Sequence, residues 1–146
     1  MAGELLNSGV EMIRVSAGIL SRGEQVLICQ RPQAGAFAGK WEFPGGKLQE
    51  GESAEQALVR ELAEELDIAV RQEDLRHLET LRHRYPDGPE VELHFFQVVS
   101  YEREPRNRSF EQIAWVPASQ AQGFDFLEAD RGLLARLAAG SLFTRT

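Results

Sequence analysis

The chain has 146 residues, a length typical of one domain and sufficient for a substantial hydrophobic core. Its formal net charge of −7 argues against broad binding to DNA or RNA, which requires Lys and Arg side chains that neutralise phosphates. No apolar run approaches the roughly 20 residues that span a bilayer, no signal peptide is apparent, and the single Cys29 excludes an internal disulfide. We therefore expect one domain over residues 1–146, in the cytoplasm, with neither polymeric nucleic acid nor membrane as partner.

Two strands are predicted in the first part of the chain, after a loose N-terminal arm at residues 1–11. β-Branched residues are enriched over 12–20, and a tight turn separates this strand from a returning one at 25–30, which contains the cysteine. Arg31 follows at the strand end, and 32–40 is a loop rich in Gly and Ala. Loops at strand ends often carry substrate contacts, so Arg31 is a candidate for binding.

A helix is predicted over 54–66. Ser53 followed three residues later by Gln56 has the form of a capping box, and no Gly or Pro interrupts the residues that follow. Residues three and four apart are neighbours on a helix, so each face has its own character. The apolar stripe is Leu58, Leu62 and Leu66, and the adjoining acidic face is Glu61, Glu64 and Glu65.

The acidic face has two interpretations. Three carboxylates on one helical face repel one another, and a divalent cation reverses the sign of that interaction. Hard oxygen ligands suit Mg²⁺, and also Mn²⁺. Glutamate is also a good helix former, so a solvated acidic face would explain the same pattern without a metal. The helix alone leaves both interpretations open.

The spacing around this helix resembles the Nudix box of the Nudix hydrolases, GX5EX7REUXEEXGU, where U is a bulky aliphatic residue. Gly46, Glu52 and the run RELAEELDI from Arg60 to Ile68 match every specified position except one. Asp67 stands where the family has a glycine that ends the helix with positive φ, and Asp tolerates that conformation. The resemblance implies the Nudix fold, an α+β fold in which a mixed β-sheet is sandwiched between helices.

The same resemblance implies roles for the residues of the box. Glu61, Glu64 and Glu65 are the predicted metal ligands, and Glu64 or Glu65 is also expected to polarise the attacking water. Arg60 and Glu52 are predicted to pair and to orient the ligands, since loosely held ligands catalyse poorly.

The segment WEFPGGK at 41–47 resembles the one that precedes the box in MutT-type members of the family, which hydrolyse nucleoside triphosphates, including oxidised guanine nucleotides. Gly45 is predicted to add its carbonyl oxygen to the metal site, because glycine pairs permit close approach of the backbone to a ligand. Phe43 is a candidate for the base pocket. Arg31 and Lys47 are candidates for phosphate or ribose contacts.

A hairpin is predicted after the box, from strands at 75–85 and 91–99 on either side of a Pro-Asp-Gly-Pro turn. Phe95 and Phe96 should point to opposite faces of the second strand. A further short strand at 113–116 ends at a proline.

Two acidic residues near the end of the chain are further candidates. In the family, a glutamate upstream of the last strand often assists the metal site, and Glu111 has that position; an ordinary loop glutamate is the alternative. Asp130 begins a helix predicted over 130–139, where MutT-like relatives read the nucleobase, although capping alone would explain it. Base identity stays open, because an ionised carboxylate only accepts hydrogen bonds whereas a protonated one also donates.

These patterns predict Mg²⁺-dependent hydrolysis of a (deoxy)nucleoside triphosphate to the monophosphate and pyrophosphate by water attack on phosphorus. MutT-like sanitising of oxidised nucleotides such as 8-oxo-dGTP is the leading prediction. The alternatives are a CTP, pyrimidine or general triphosphate pyrophosphohydrolase, a hydrolase of another diphosphate such as a dinucleotide or sugar nucleotide, and a nucleotide-binding regulatory module without catalysis. The protein is expected to be a monomer or a homodimer.

Overall fold

Two four-stranded sheets and two α-helices form the core of the computed structural model, which describes residues 12–140. The arm predicted at 1–11 lies outside the described residues. The elements are β1 Met12–Ile19, β2 Ser21–Arg22, β3 Gln25–Gln30, β4 Trp41–Glu42, β5 Gly45–Lys47, α1 Ala54–Leu66, β6 Leu75–Arg84, β7 Glu90–Val98, β8 Gln112–Pro117 and α2 Arg131–Ala138.

The first sheet is mixed and has the strand order β5-β1-β7-β6. β1 runs parallel to β7 and antiparallel to β5, while β6 and β7 form the predicted hairpin. In the second sheet β3 pairs antiparallel with β2, β4 and β8. The predicted α+β class and mixed sheet are confirmed, and a second sheet accompanies the mixed one.

Two hydrophobic cores lie on opposite faces of β7. Phe95 belongs to one core and Phe96 to the other, because successive side chains of a strand alternate between its faces. Each core is covered by one helix. Leu58, Leu62 and Leu66 of α1 pack in the core with Phe96, and Leu133, Leu134 and Leu137 of α2 pack in the core with Phe95. The sheets are therefore enclosed between the two helices, as the resemblance implied.

The helix α1 begins as the sequence predicted. The Gln56 N–H donates to Ser53 Oγ at 3.0 Å, and the Ser53 N–H donates to Gln56 Oε1 at 2.9 Å. This reciprocal pair satisfies two backbone donors that a helix start leaves without partners. The acidic helix is thereby held at its first turn by its own sequence.

The end of α1 shows what Asp67 does in place of glycine. Asp67 has φ 59° and ψ 36°, and its N–H donates to the Ala63 carbonyl, so it supplies the left-handed residue that the helix end requires. Its carboxylate also accepts from Nη1 of Arg103 at 3.1 Å and of Arg108 at 3.5 Å, contacts that glycine cannot make. Asp67 therefore joins the loop that carries these arginines to the end of the acidic helix.

Three local features differ from what the sequence predicted. The expected turn at 21–24 is shorter, because Ser21–Arg22 pair with β3 as β2 and only Gly23 and Glu24 form the turn. The strands β4 and β5 were not predicted, because they contain only two and three residues, too few to show a periodic pattern. Asp130 precedes α2, but its side chain makes no capping hydrogen bond. It accepts instead from the Phe43 N–H.

Within residues 12–140, none of the helices combines the length and the apolar character needed to cross a membrane.

Candidate active site

A cavity of about 520 Å³ opens where β1, β5 and α1 meet the loop after Arg31 and the segment before α2. Its walls are largely apolar, with ionisable groups at the two ends. These groups are Arg31, Glu42, Lys47, Glu61, Glu65 and Asp130. Four carboxyl groups and two cationic groups line this cavity, so a bound cation would favour the ionised forms of the carboxyl groups.

The acidic end of the cavity contains a carboxyl group whose charge is poorly compensated. Glu65 Oε1 is buried and has no hydrogen-bond partner within the described residues. Burial, followed by the charges of Glu61 and Glu42, raises the pKa of Glu65 to about 8. In the absence of a cation, Glu65 therefore holds a proton at neutral pH.

The two glycines of β5 bring α1 against the sheet. A Cβ on Gly46 would overlap the Glu61 carboxyl group, and a Cβ on Gly45, with φ 153°, would overlap the Ser16 carbonyl oxygen. Glycine is required at both positions because a side chain has no room there. The sequence predicted close approach to a ligand, whereas the closest groups are the Glu61 carboxyl group and the backbone of β1. The predicted role of the Gly45 carbonyl as a metal ligand stays a prediction.

Arg60 is the centre of a hydrogen-bonded group beside these acids. Its Nε and Nη2 donate to the two carboxylate oxygens of Glu52, at 2.6 Å and 2.9 Å, while Nη1 donates to Glu61 Oε2 at 3.0 Å. Nη2 also donates to the Lys47 carbonyl at 3.1 Å, which links α1 to β5. The Arg60 guanidinium lowers the pKa of Glu52 to about 2. Arg60 therefore fixes the carboxylate of Glu61 while staying outside the cavity itself.

Two predicted ligands do not line the cavity. The Glu64 side chain is 59% exposed and lies 3.4 Å from Arg60 Nη1. Glu111 is exposed at the start of β8, where its backbone N–H donates to the Gln30 carbonyl at 2.9 Å. Neither residue lines the cavity, although Arg60 Nη1 donates to Glu64 as well as to Glu61, and their metal-binding roles stay predictions.

Arg31 joins the loop after β3 to the cavity. Its Nη1 donates to both carboxylate oxygens of Glu42 at 3.2 Å, and its Nε donates to the Ala36 carbonyl at 2.9 Å. Burial raises the pKa of Glu42, and Arg31 opposes that shift. Our sequence reasoning missed Glu42. The signal was a carboxylate inside an otherwise apolar segment, directly before Phe43.

Asp130 occupies the other end of the cavity. It is only 3% exposed, and its Oδ2 accepts from the Phe43 N–H at 3.4 Å. Burial, followed by the charge of Glu42, raises the pKa of Asp130 to about 8, so it is largely protonated at neutral pH. The capping explanation for Asp130 is wrong, because its carboxyl group contacts the backbone of Phe43 and lines the cavity. The Phe43 ring packs against Phe95 and Phe126.

The acidic end has donors that fit a hard divalent cation. Glu61 and Glu65 supply carboxylate oxygens, and Oε1 of Glu65 is buried without a partner. Within residues 12–140, no three His, Cys, Asp or Glu side chains are already arranged as a metal-binding group. Two carboxylates completed by water and substrate oxygens are a common donor set for Mg²⁺. The residues present therefore fit such an ion.

A second cavity, of about 580 Å³, lies between the turn before β3 and α2. Glu24 is the one ionisable group in its described lining. It offers neither paired carboxyl groups nor a buried atom without a partner, so the chemistry favours the first cavity.

Comparison with known proteins decides the family. The family model described as NUDIX domain matches residues 12–137. The chain belongs to the Nudix family. It is therefore a Nudix hydrolase, and hydrolases of this family generally use divalent metals.

Three similar proteins place this Nudix hydrolase among MutT-like members. An 8-oxo-dGTP diphosphatase of Proteus vulgaris is 43% identical over 93 residues, which cover 63% of this chain and 80% of that protein. A CTP pyrophosphohydrolase of Escherichia coli is 34% identical over 125 residues, covering 86% and 90%. A solved MutT structure, from work on Aliivibrio salmonicida and Vibrio cholerae, has a TM-score of 0.69 at 32% identity, covering 89% and 99%.

Proposed function

We propose that this Nudix hydrolase is a Mg²⁺-dependent (deoxy)nucleoside triphosphate pyrophosphohydrolase that releases the monophosphate and pyrophosphate. The observation that carries the proposal is the buried oxygen of Glu65, which has no partner and lies beside Glu61 in one cavity with Asp130. The volume of about 520 Å³ is in the range of small-molecule sites. Glu61 and Glu65 would hold the metal ion that assists hydrolysis, and Asp130 would recognise the nucleobase.

The residues of the acidic end are proposed to have different roles in hydrolysis. A bound Mg²⁺ supplies charge neutralisation at phosphoryl oxygens and lowers the pKa of a bound water. Glu61 and Glu65 hold the ion, and Gly45 and Glu64 are proposed to add oxygens. Glu64 or Glu65 polarises the attacking water. Glu111 is proposed as an auxiliary acid, although its position in the structure does not support that role.

The cationic residues hold the substrate and the ligands. Arg60 orients Glu61 through the 3.0 Å hydrogen bond, and Glu52 in turn fixes the guanidinium. Arg31 and Lys47 line the cavity and are proposed to bind phosphate or ribose oxygens, which are rich in acceptors.

At the base end we propose that Phe43 and Asp130 read the nucleobase. Their pairing places a backbone N–H and a carboxyl group side by side at the cavity wall. The EFPGGK segment favours oxidised guanine nucleotides such as 8-oxo-dGTP as the substrate. The second candidate is CTP, because a relative of that activity is 34% identical and because Asp130 is an acid where an amide would fix the hydrogen-bonding pattern.

The other interpretations have less support. A regulatory module without catalysis does not agree with the assignment as a hydrolase. A dinucleotide or sugar nucleotide substrate has no specific contact in its favour. Cytoplasmic location, a single domain over the whole chain and a monomeric or dimeric state stay predictions from the sequence.

The proposed reaction is tested by incubating the protein with Mg²⁺ and a panel of ordinary and oxidised nucleoside triphosphates, together with a dinucleotide and a sugar nucleotide. Pyrophosphate and phosphate release are measured separately, and Mn²⁺ is substituted in a parallel series. We expect pyrophosphate and a nucleoside monophosphate, with 8-oxo-dGTP as the best substrate. Absence of pyrophosphate from every triphosphate would reject the proposed reaction, and comparable rates for all bases would reject the sanitising version.

The role of Arg60 is tested by Arg60→Lys. Lysine keeps the charge but cannot bridge Glu52 and Glu61 with a rigid planar group, so Glu61 loses its fixed position. We expect kcat/KM to fall by roughly tenfold and the Mg²⁺ concentration for half-maximal rate to rise, as is usual for residues that orient metal ligands. Arg71→Lys, at a side chain that is 72% exposed and paired only with nearby acids, is the matched control. An unchanged Mg²⁺ dependence in Arg60→Lys would contradict this role.

A further inference from the structure

Two aromatic rings lie together at the rim of the cavity. The ring centroids of Phe37 and Tyr85 are 4.8 Å apart, with an interplanar angle of 48°, and both side chains line the cavity. Phe37 is 40% exposed and is one of two large hydrophobic residues exposed among residues 12–140, the other being Val99. Phe37 is therefore an aromatic side chain that both lines the cavity and is open to a ligand.

The backbone at Phe37 is strained. Phe37 has φ 54°, in the left-handed region that bulky residues rarely adopt, and such residues cost free energy and cluster at functional sites. Glycine would adopt this conformation without a penalty. Burial does not explain a phenylalanine at this position, because much of its surface is in contact with water. The phenylalanine ring therefore has a role other than packing in the hydrophobic core.

The aromatic pair is connected to both ends of the proposed nucleotide site. The loop of Phe37 is held by the hydrogen bond from Arg31 Nε to the Ala36 carbonyl, at 2.9 Å. On the other side, Tyr85 Oη accepts from the Ala129 N–H at 3.2 Å, directly beside Asp130. The rings are thus linked on one side to Arg31, proposed to bind phosphate or ribose, and on the other side to the segment of Asp130, proposed to read the base.

We propose that Phe37 and Tyr85 form a stacking surface for the nucleobase and that this surface makes the enzyme prefer purines to pyrimidines. The inference rests on the proposed nucleotide hydrolysis and deepens it. Every base has a π face, so aromatic stacking needs no particular hydrogen-bonding edge. Because the two rings are inclined by 48°, a flat base stacks on one of them, and a bicyclic purine extends further towards the other ring than a monocyclic pyrimidine does.

The decisive variant is Phe37→Gly, which removes the ring and relieves the strained φ. We expect KM for a purine nucleoside triphosphate to rise about tenfold, as for loss of one stacking contact, with a smaller rise for a pyrimidine. The value of kcat should change little, because Phe37 is proposed to bind the base and has no proposed role at the metal ion or the attacking water. Relief of the strained φ stabilises this variant, whereas loss of the packing on Tyr85 and the greater entropy of unfolded glycine destabilise it, so the melting temperature serves to confirm folding. The readout that a purely structural role would not change is the difference between the purine and pyrimidine KM values.

Two further variants make the test specific. Phe37→Leu keeps apolar bulk without an aromatic face and should also lose purine preference. Val99→Ala changes the other exposed hydrophobic residue, which does not line the cavity, and should leave both KM values unchanged. Tyr85→Phe keeps the ring and loses the hydrogen bond to Ala129, so we expect most of the purine preference to remain.

The outcomes separate this inference from the proposed function. If the wild-type protein releases pyrophosphate but the ratio of purine to pyrimidine kcat/KM is unchanged in Phe37→Gly and Phe37→Leu, the stacking surface is rejected and the hydrolase stands. Equal losses for both classes of base would reject its role in selectivity. If the wild type hydrolyses no nucleotide, the proposed function itself fails, whatever the variants do.

Discussion

Replacing Glu65 with glutamine is expected to lower kcat by roughly 10²–10³-fold, the range seen when one group that stabilises transition-state charge is removed. Glutamine has almost the same shape, so the packing of α1 should be kept. It lacks the negative charge that would hold Mg²⁺, and the ion is what would offset negative charge at the phosphoryl group. The measurement is kcat at saturating nucleotide over a range of Mg²⁺ concentrations.

The same variant has a predicted effect on stability, with a definite sign. The pKa of Glu65 is about 8 in the fold against an ordinary value of 4.5, so the folded protein binds more protons than the unfolded chain between these values. Stability therefore falls as pH rises from about 4.5 to about 8, by at most a few kcal/mol. Glu65→Gln cannot ionise and should lose this decline. Without Mg²⁺ at about pH 8, the variant should be more stable than wild type.

Glu55→Gln is the matched control for both measurements. Glu55 lies on the first turn of the same helix and does not line the cavity. Its replacement does not touch the cavity, so kcat and the decline of stability attributed to Glu65 should both be kept. Wild-type activity in Glu65→Gln would remove this residue from the metal site, and lower stability at every pH would show that the contacts of its carboxyl group with Glu61 and the Gly45 backbone outweigh the cost of its burial.

Selection of the base is expected to change with pH in the wild type and to become independent of pH in Asp130→Asn. Below its pKa of about 8, Asp130 donates one hydrogen bond and accepts another; above it, Asp130 only accepts. Cytosine presents a donor and an acceptor on its pairing edge, and guanine presents two adjacent donors. Raising the pH should therefore favour guanine over cytosine. Asparagine donates and accepts at every pH.

The measurement is the ratio of kcat/KM for a guanine and a cytosine nucleotide between about pH 6 and about pH 9, a range in which guanine N1 keeps its proton. A ratio cancels the titration of Glu65 and other groups that affect both substrates equally. We expect the wild-type ratio to rise by roughly 10- to 100-fold, because a hydrogen bond to a charged group contributes about 1.5–3 kcal/mol. A flat wild-type ratio, or the same rise in Asp130→Asn, would exclude Asp130 as the residue that reads the base.

Much of the fold could be predicted because its signals are local. The capping box of Ser53 and Gln56, the three leucines of α1 and the turn of the β6–β7 hairpin all depend on residues close in sequence, and their elements occur where predicted. The parallel pairing of β1 with β7 was not predicted, because it joins residues about eighty positions apart and has no local signature. The short strands β4 and β5 also depend on distant partners.

The candidate site also combines features that depend on nearby residues with features that depend on distant ones. The spacing of Gly46, Glu52 and Arg60 around the acidic helix was sufficient to indicate the family and its chemistry. The spacing did not distinguish between the three glutamates, because helical geometry puts all of them on one face. Packing against β5 leaves Glu65 half-buried, with its Oε1 atom fully buried, and places Glu61 on Gly46, while Glu64 remains 59% exposed.

The sequence by itself therefore determined the family, because the spacing of Gly46, Glu52 and the run from Arg60 to Ile68 that resembles the Nudix box is a local property. Only the tertiary structure decided the surroundings of each acid. Asp130 appeared to be a helix cap, yet the fold buries it against the Phe43 backbone and near Glu42, which changes its protonation. Burial and the distance to other charges set a pKa, and both depend on segments that meet only after folding.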